Sequence, residues 1–131
     1  MQGKWLIRYG ENCEREFFSE IELIKILLGL ESEHRAEGMM VEVESPNGDC
    51  LSIGLGKSKS VLCWTPASNC EDYSTSISGI EDPSDDGMIS FLFMGDYSEY
   101  PSRNFLDLCL AKAAILSFFI TEKKPEIIKW E

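Results

Sequence analysis

Apolar residues recur with two different periods along this chain, and the switches between them mark its elements. Lys4 to Tyr9 is a short β-prone run closed by Gly10. Ser19-Glu20-Ile21-Glu22 then has the S-x-x-E form of a capping box, in which serine and glutamate satisfy free amides at a helix start. The helix this predicts, over about residues 19–31, keeps Glu22, Lys25 and Gly29 on one face. Ile21, Leu23, Ile24, Leu27, Leu28 and Leu30 cover the rest. From Met39 the period becomes two: Val41 and Val43 point one way, Glu42 and Glu44 the other, as in a half-exposed antiparallel strand. Pro46-Asn47-Gly48 is a turn signal, and Leu51, Ile53 and Leu55 resume the alternation. Gly56-Lys57-Ser58-Lys59 turns the chain again before a strand from Val61 to Thr65.

The stretch from Pro66 to Gly87 is polar and weakly patterned, with one more strand expected near Tyr73 to Ile77 and an acidic loop from Glu81 to Gly87. Met88 to Met94 is apolar on both faces, which predicts an interior strand ended by Gly95-Asp96-Tyr97. Pro101-Ser102 sits where a helix cap belongs, predicting a helix over about 103–121. Its apolar stripe includes Phe105, Leu108, Leu110, Ile115, Phe118 and Phe119, too much area to leave in water. Lys123-Lys124 suit the helix dipole, Pro125 stops the helix, and Ile127, Ile128 and Trp130 form a last short extended segment. The expected fold is α+β: an antiparallel β-meander sheet packed against two helices, about 19–31 and 103–121, with a short C-terminal strand. One domain, 1–131, is expected, since no linker or repeat divides the chain and 131 residues suffice for one core.

Charge narrows the partners. The 12 Lys+Arg against 23 Asp+Glu give −11 at pH 7. So acidic a surface repels phosphate backbones, so neither nucleic acid nor an anionic membrane is expected as a direct partner, and a basic protein is. No uncharged apolar run approaches the roughly 20 residues that span a bilayer, and Met1-Gln2-Gly3-Lys4-Trp5 lacks the apolar stretch of a signal peptide. A soluble, cytoplasmic protein is the expectation. The five cysteines, Cys13, Cys50, Cys63, Cys70 and Cys109, are odd in number and contain no C-x-x-C pair. That argues against a disulfide framework or zinc knuckle. Cys50, Cys63 and Cys109 fall in apolar segments, where a free thiol behaves as a small hydrophobe.

Catalytic patterns fail on spacing. His34 is the single histidine, among charged neighbours, which excludes multi-histidine metal sites and leaves a Ser-His or Cys-His site one candidate. Gly54-Leu55-Gly56-Lys57-Ser58 looks like half of a phosphate-binding loop, but Leu51 stands where the other glycine belongs and a strand follows instead of a helix. Asp82-Pro83-Ser84-Asp85-Asp86-Gly87 opens like a calcium loop, but its twelfth position is Phe93. Adjacent acids such as Asp85 and Asp86 are too common on loops to indicate acid–base chemistry. No catalytic, metal-binding or cofactor-binding residue is assigned, and the protein is expected not to be an enzyme.

The C-terminal third is more informative. An apolar helix ends in Phe118-Phe119-Ile120-Thr121-Glu122-Lys123-Lys124-Pro125-Glu126, followed by Ile127-Ile128-Lys129-Trp130. This resembles the closing signature of immunity protein family one of bacterial polymorphic toxin systems, including those of contact-dependent growth inhibition. There a helix ending in F-F runs through a basic residue and proline to a near-terminal tryptophan. The order of elements matches as well, though Lys123 and Lys124 stand where the family often has glycine or glutamine and arginine. The same tail also reads as an ordinary helix-to-edge-strand connection with Trp130 buried as an anchor.

The resemblance implies a stoichiometric inhibitor, not an enzyme, that neutralises a cognate toxin domain, often a nucleic-acid-targeting deaminase or nuclease. Such a toxin needs a basic cleft, and an acidic inhibitor can steer into it and occlude it. The expected partner is therefore a basic, folded toxin domain bound 1:1 by a monomer, without cofactor. The loops between Pro66 and Gly87 and between Gly95 and Tyr100 offer acids interleaved with tyrosines. The candidate toxin-binding residues there are Glu71, Asp72, Tyr73, Glu81, Asp82, Asp85, Asp86, Asp96, Tyr97, Glu99 and Tyr100. An alternative of the same size and charge is an acidic secretion-system chaperone that binds an effector as a homodimer; a third is a small enzyme using Cys63 or His34.

Overall fold

The alternating segments pair with one another, because each has one apolar face to hide and a backbone ladder to complete. In the computed structural model, residues 3–33, 37–69, 71–77, 87–93 and 95–131 are described. The first half runs β1 (Leu6–Tyr9), β2 (Cys13–Glu16), α1 (Glu20–Glu33), β3 (Met39–Glu44), β4 (Cys50–Leu55), β5 (Lys59–Ser60) and β6 (Leu62–Thr65). The second runs β7 (Ser74–Ile77), β8 (Met88–Phe93), β9 (Asp96–Pro101), β10 (Leu106–Asp107), α2 (Leu108–Thr121) and β11 (Lys129–Trp130). Seven strands form one antiparallel path in the order β11-β7-β6-β4-β3-β1-β2. Hairpin β8–β9 joins it through a single parallel pair, Met39 with Leu92, while β5 and β10 form a separate small ribbon. The fold is α+β, with two helices and a mostly antiparallel sheet.

One face of the sheet contributes Ile7, Val41, Val43, Leu51, Ile53, Leu55, Leu62 and Trp64 to the main core. The helices cover it with Leu23, Ile26, Leu27 and Leu30 from α1 and Ala111, Ala114, Ile115 and Phe118 from α2. Each large side chain so buried contributes about 1.5–3 kcal/mol. The serine half of the predicted capping box forms, the Glu22 amide donating to Ser19 Oγ at 3.2 Å, while Glu22 Oε2 accepts from the amide of Phe18, one residue before the cap, at 3.3 Å. At the far end of α2, Glu122 takes the left-handed conformation, φ 57°, and its amide donates to the Phe118 carbonyl at 2.8 Å. The Trp130 indole N–H then donates to the Pro125 carbonyl at 3.0 Å, and the Lys124 ammonium lies 5.0 Å from the centroid of the Trp130 ring. Phe118 meets Trp5 and Trp64 edge-on, at 5.1 and 5.3 Å between centroids. The tail residues that carry the family resemblance thus pin the chain end onto the core.

Three sequence expectations change, and one strand appears where none was expected. The second helix begins at Leu108, not near 103, because Pro101-Ser102 opens only a 3-10 turn over Ser102–Asn104. Asn104 is buried against β7, and the pairing of Leu106 with Ser60 keeps the next residues extended. Cys13–Glu16 is a strand, although it has no apolar face: all four residues are exposed on a sheet edge. Met88–Phe93 is not interior. It touches β3 at one end, Phe91 alone among its residues is fully buried, and Met88 is 56% exposed. Finally, Asp96 to Tyr100, expected as a loop, is the body of strand β9. Among the described residues no helix is long and apolar enough to cross a membrane.

Candidate partner-binding surface

The sheet face turned away from the helices divides into two regions. In the first, strand register brings Arg8 of β1 beside Glu42 and Glu44 of β3 and Cys50 of β4. Arg8 Nη1 donates to Glu42 Oε1 at 2.9 Å and to Glu44 Oε1 at 3.3 Å, while Nε donates to Glu14 Oε2 at 2.8 Å. The hydrogen bond to Glu44, above all, pushes the guanidinium further toward its charged form, against the opposing effect of burial. The Cys50 thiol donates to Glu42 Oε1 at 3.4 Å, and burial, then the charge of Glu42, raises its pKa well above the usual range. Ligand atoms of Glu42, Glu44 and Cys50 lie within 4.8 Å of one another, a spacing that could hold a metal. The positive charge there is already supplied by Arg8, which donates to both Glu42 Oε1 and Glu44 Oε1, the carboxylate oxygens a metal would need. This cluster is an ion network that ties β1, β2 and β3 together.

In the second region the β8–β9 hairpin folds over the sheet. Alternation gives it two faces. Ile89, Phe91, Phe93 and Tyr100 turn inward onto a second apolar cluster with Met40, Val61, Cys63 and Phe105. Phe91 is admitted because β4 has Gly54 beneath it: a Cβ there would lie 2.5 Å from the Phe91 ring. The Tyr100 ring lies tilted against Phe91, 6.4 Å between centroids, and its hydroxyl accepts a hydrogen bond from the Cys63 thiol at 3.6 Å; burial, then Cys63, raises its phenol pKa. The outward face comprises Met88, Ser90, Leu92, Tyr97, Glu99 and Pro101, with Tyr97 66% exposed.

The residues proposed from sequence are therefore distributed unequally. Asp96, Tyr97 and Glu99 are exposed and lie on one strand, with Tyr97 and Glu99 on the same face. Tyr100, expected to contact a partner, is half-buried and occupied in the second cluster, because the strand's two-residue period turns it inward. Glu71 and Asp72 are exposed in a turn shaped by Asn69, whose Oδ1 accepts from the Glu71 amide at 3.1 Å. Tyr73 follows, 67% exposed, next to the Ser74 hydroxyl that holds Lys124 Nζ at 2.9 Å. Glu81, Asp82, Asp85 and Asp86 lie outside the described residues, as do His34 and Cys70.

Sequence reasoning missed Met88 as an exposed member of this surface and missed the Arg8 network. The alternating Glu42 and Glu44 were the available signal for the network, but only the register of β1 on β3 shows that Arg8 meets them. Cys109 also departs from expectation: it is exposed, because α2 is apolar nearly all round and Cys109 falls on its solvent side. Cys13 is exposed, while Cys50 and Cys63 are half-buried free thiols.

Comparison with curated proteins gave no match. Against protein families, residues 20–131 match Immunity protein Imm1, a stretch that begins at the capped start of α1 and includes the hairpin and the pinned tail. With the match extending over most of its length and through the tail that the sequence singled out, the chain belongs to the Imm1 family of immunity proteins.

Proposed function

We propose that this chain, a single domain, neutralises a cognate bacterial toxin by binding it without catalysis. The outward face of β8–β9 is the centre of the contact. The observation that carries this reading is Tyr97, an exposed ring flanked by the exposed acids Asp96 and Glu99, on a member of an immunity family. Aromatic anchors dominate the energetics of such contacts, and surrounding charge sets partner choice and encounter rate. Glu71, Asp72 and Tyr73, with Glu81, Asp82, Asp85 and Asp86 named on sequence alone, are further candidates for contact. The favoured target is a basic toxin domain acting on nucleic acid, a deaminase or nuclease, in a polymorphic or contact-dependent toxin system. A chain of charge −11 competes for such a cleft with a polyanionic substrate. Binding is 1:1 by a monomer in the cytoplasm, and the inhibitor itself does not bind nucleic acid.

The test is binding of the toxin domain encoded in the neighbouring reading frame. Tyr97→Ala is expected to weaken binding about 30-fold, as for an interface hot spot. Asp96→Lys with Glu99→Lys should slow association and flatten its salt dependence. Unchanged binding by both variants would remove the hairpin from the interface. Tighter binding of a polyanion than of the toxin, or turnover of a small molecule, would overturn the reading itself.

A further inference from the structure

Resting on the immunity reading, and sharpening it, we propose that the toxin is gripped through the backbone of β9, which takes up an extended basic segment of the toxin as an added strand. β9 is paired with β8 along all six of its residues and has no second strand partner among the described residues. Phe93 pairs with Asp96 across a two-residue connection. The pair closing such a hairpin exchanges both backbone hydrogen bonds, and the bonded and non-bonded pairs then alternate. Asp96, Ser98 and Tyr100 therefore spend their amides on β8, and the N–H and C=O groups of Tyr97 and Glu99 point away from it. Pro101 falls at the next outward position, where its missing N–H leaves the internal ladder intact.

A free edge of this length invites pairing, and its charge decides with what. Two copies meeting edge to edge would set one acidic edge against another, with no basic residue on β9 to offset it. A strand bearing lysine or arginine meets Asp96 and Glu99 favourably. The other strand edges are less suited. β11 has two residues, and β2 has four whose acids are already engaged, Glu14 by Arg8 and Glu16 by Lys4. Asp96 and Glu99 have no ion-pair partner among the described residues. Main-chain bonds from an added strand supply affinity, while Tyr97 and Glu99 on the outward face read the side chains that arrive with it.

Amide hydrogen exchange on the intact chain, alone and with the toxin domain from the neighbouring reading frame, tests this directly. The Tyr97 and Glu99 amides should exchange fast in the free chain and at least 100-fold slower in the complex. Those of Ser98 and Tyr100 should be protected in both. Glu99→Ala and Glu99→Pro both delete the carboxylate, but only proline deletes the outward N–H, so the proline variant should bind about tenfold more weakly than the alanine one. If Glu99→Pro does not fold, as judged by circular dichroism, the wild-type exchange pattern decides. Equally fast exchange in free and bound chain, or equal affinity of two folded variants, overturns strand addition while a neutralising wild type upholds the immunity reading. Protection of Tyr97 and Glu99 in the free chain, with a dimer by light scattering, assigns the edge to a second copy and overturns the proposal. A wild-type chain that does not bind the toxin overturns both.

Discussion

Replacing Ser76 by alanine should be among the most destabilising small changes in this protein, although it removes one oxygen. Ser76 is fully buried at the crossing of β6, β7 and the 3-10 turn. Its hydroxyl donates to the Asn104 carbonyl at 2.9 Å and accepts from the Leu62 amide at 3.1 Å. Asn104 Nδ2 donates back to the Ser76 carbonyl at 2.8 Å, and that bond survives the substitution. Alanine leaves one buried N–H and one buried C=O without this partner, each worth about 1–3 kcal/mol. A total of about 3 kcal/mol follows if the carbonyl recovers part of its loss. For 131 residues, with an unfolding entropy of about 2.1 cal/mol/K per residue, that lowers Tm by about 10 °C. Ser60→Ala is the internal reference, because its buried hydroxyl makes one bond, to the Gly54 carbonyl at 2.7 Å. It should cost about 1 kcal/mol. Urea unfolding of both variants, with m unchanged, gives the comparison. A Ser76→Ala loss no larger than that of Ser60→Ala would mean that the junction is open to water and that the reasoning is wrong.

Two further outcomes follow from packing and ionisation. Gly54→Ala should destabilise by about 1–3 kcal/mol through overpacking against Phe91, and Phe91→Leu in the same chain should recover part of the loss in thermal melts. Iodoacetamide at pH 8 should label Cys13 and Cys109 in the native chain and spare Cys50 and Cys63 until unfolding, as peptide mass mapping would show. Burial raises the folded pKa of both spared thiols, so the unfolded chain loses their protons first and stability falls as pH rises above about 8.5. The slope is at most about 1.4 kcal/mol per thiol per pH unit, and alanine at both positions should flatten it in urea melts taken from pH 7 to 10.

The parts of this fold that could be read from sequence are those where local chemistry and tertiary packing agree. Ser19 caps α1 through the Glu22 amide as its spacing requires, and Val41, Val43, Leu51 and Ile53 alternate because one face of β3 and β4 is covered. β2, with Cys-Glu-Arg-Glu, has no apolar period because neither face is buried, so its existence depends on β1 beside it. The late start of α2 was hidden for a different reason. Pro101-Ser102 is a sound local cap, but Asn104 satisfies its side chain better against Ser76 than within a first helical turn. At the candidate surface, Asp96, Tyr97 and Glu99 were identified by residue type. Which neighbour they share a face with depended on their being a strand, and that separated Tyr97 from Tyr100.

The seating of the hairpin has a consequence for how such a protein keeps pace with a changing adversary. A short pairing with β3 and the packing of Ile89, Phe91, Phe93 and Tyr100 over Gly54 and the second apolar cluster fix β8–β9 in place, so its inward residues answer to the fold and its outward residues do not. Mutations at Met88, Ser90, Tyr97 or Glu99 can accumulate with little loss of stability, one residue out of phase with positions that cannot vary. On the proposed reading, in which the outward face meets the toxin, a lineage of such inhibitors would exchange one target for another by editing alternate letters of two short strands.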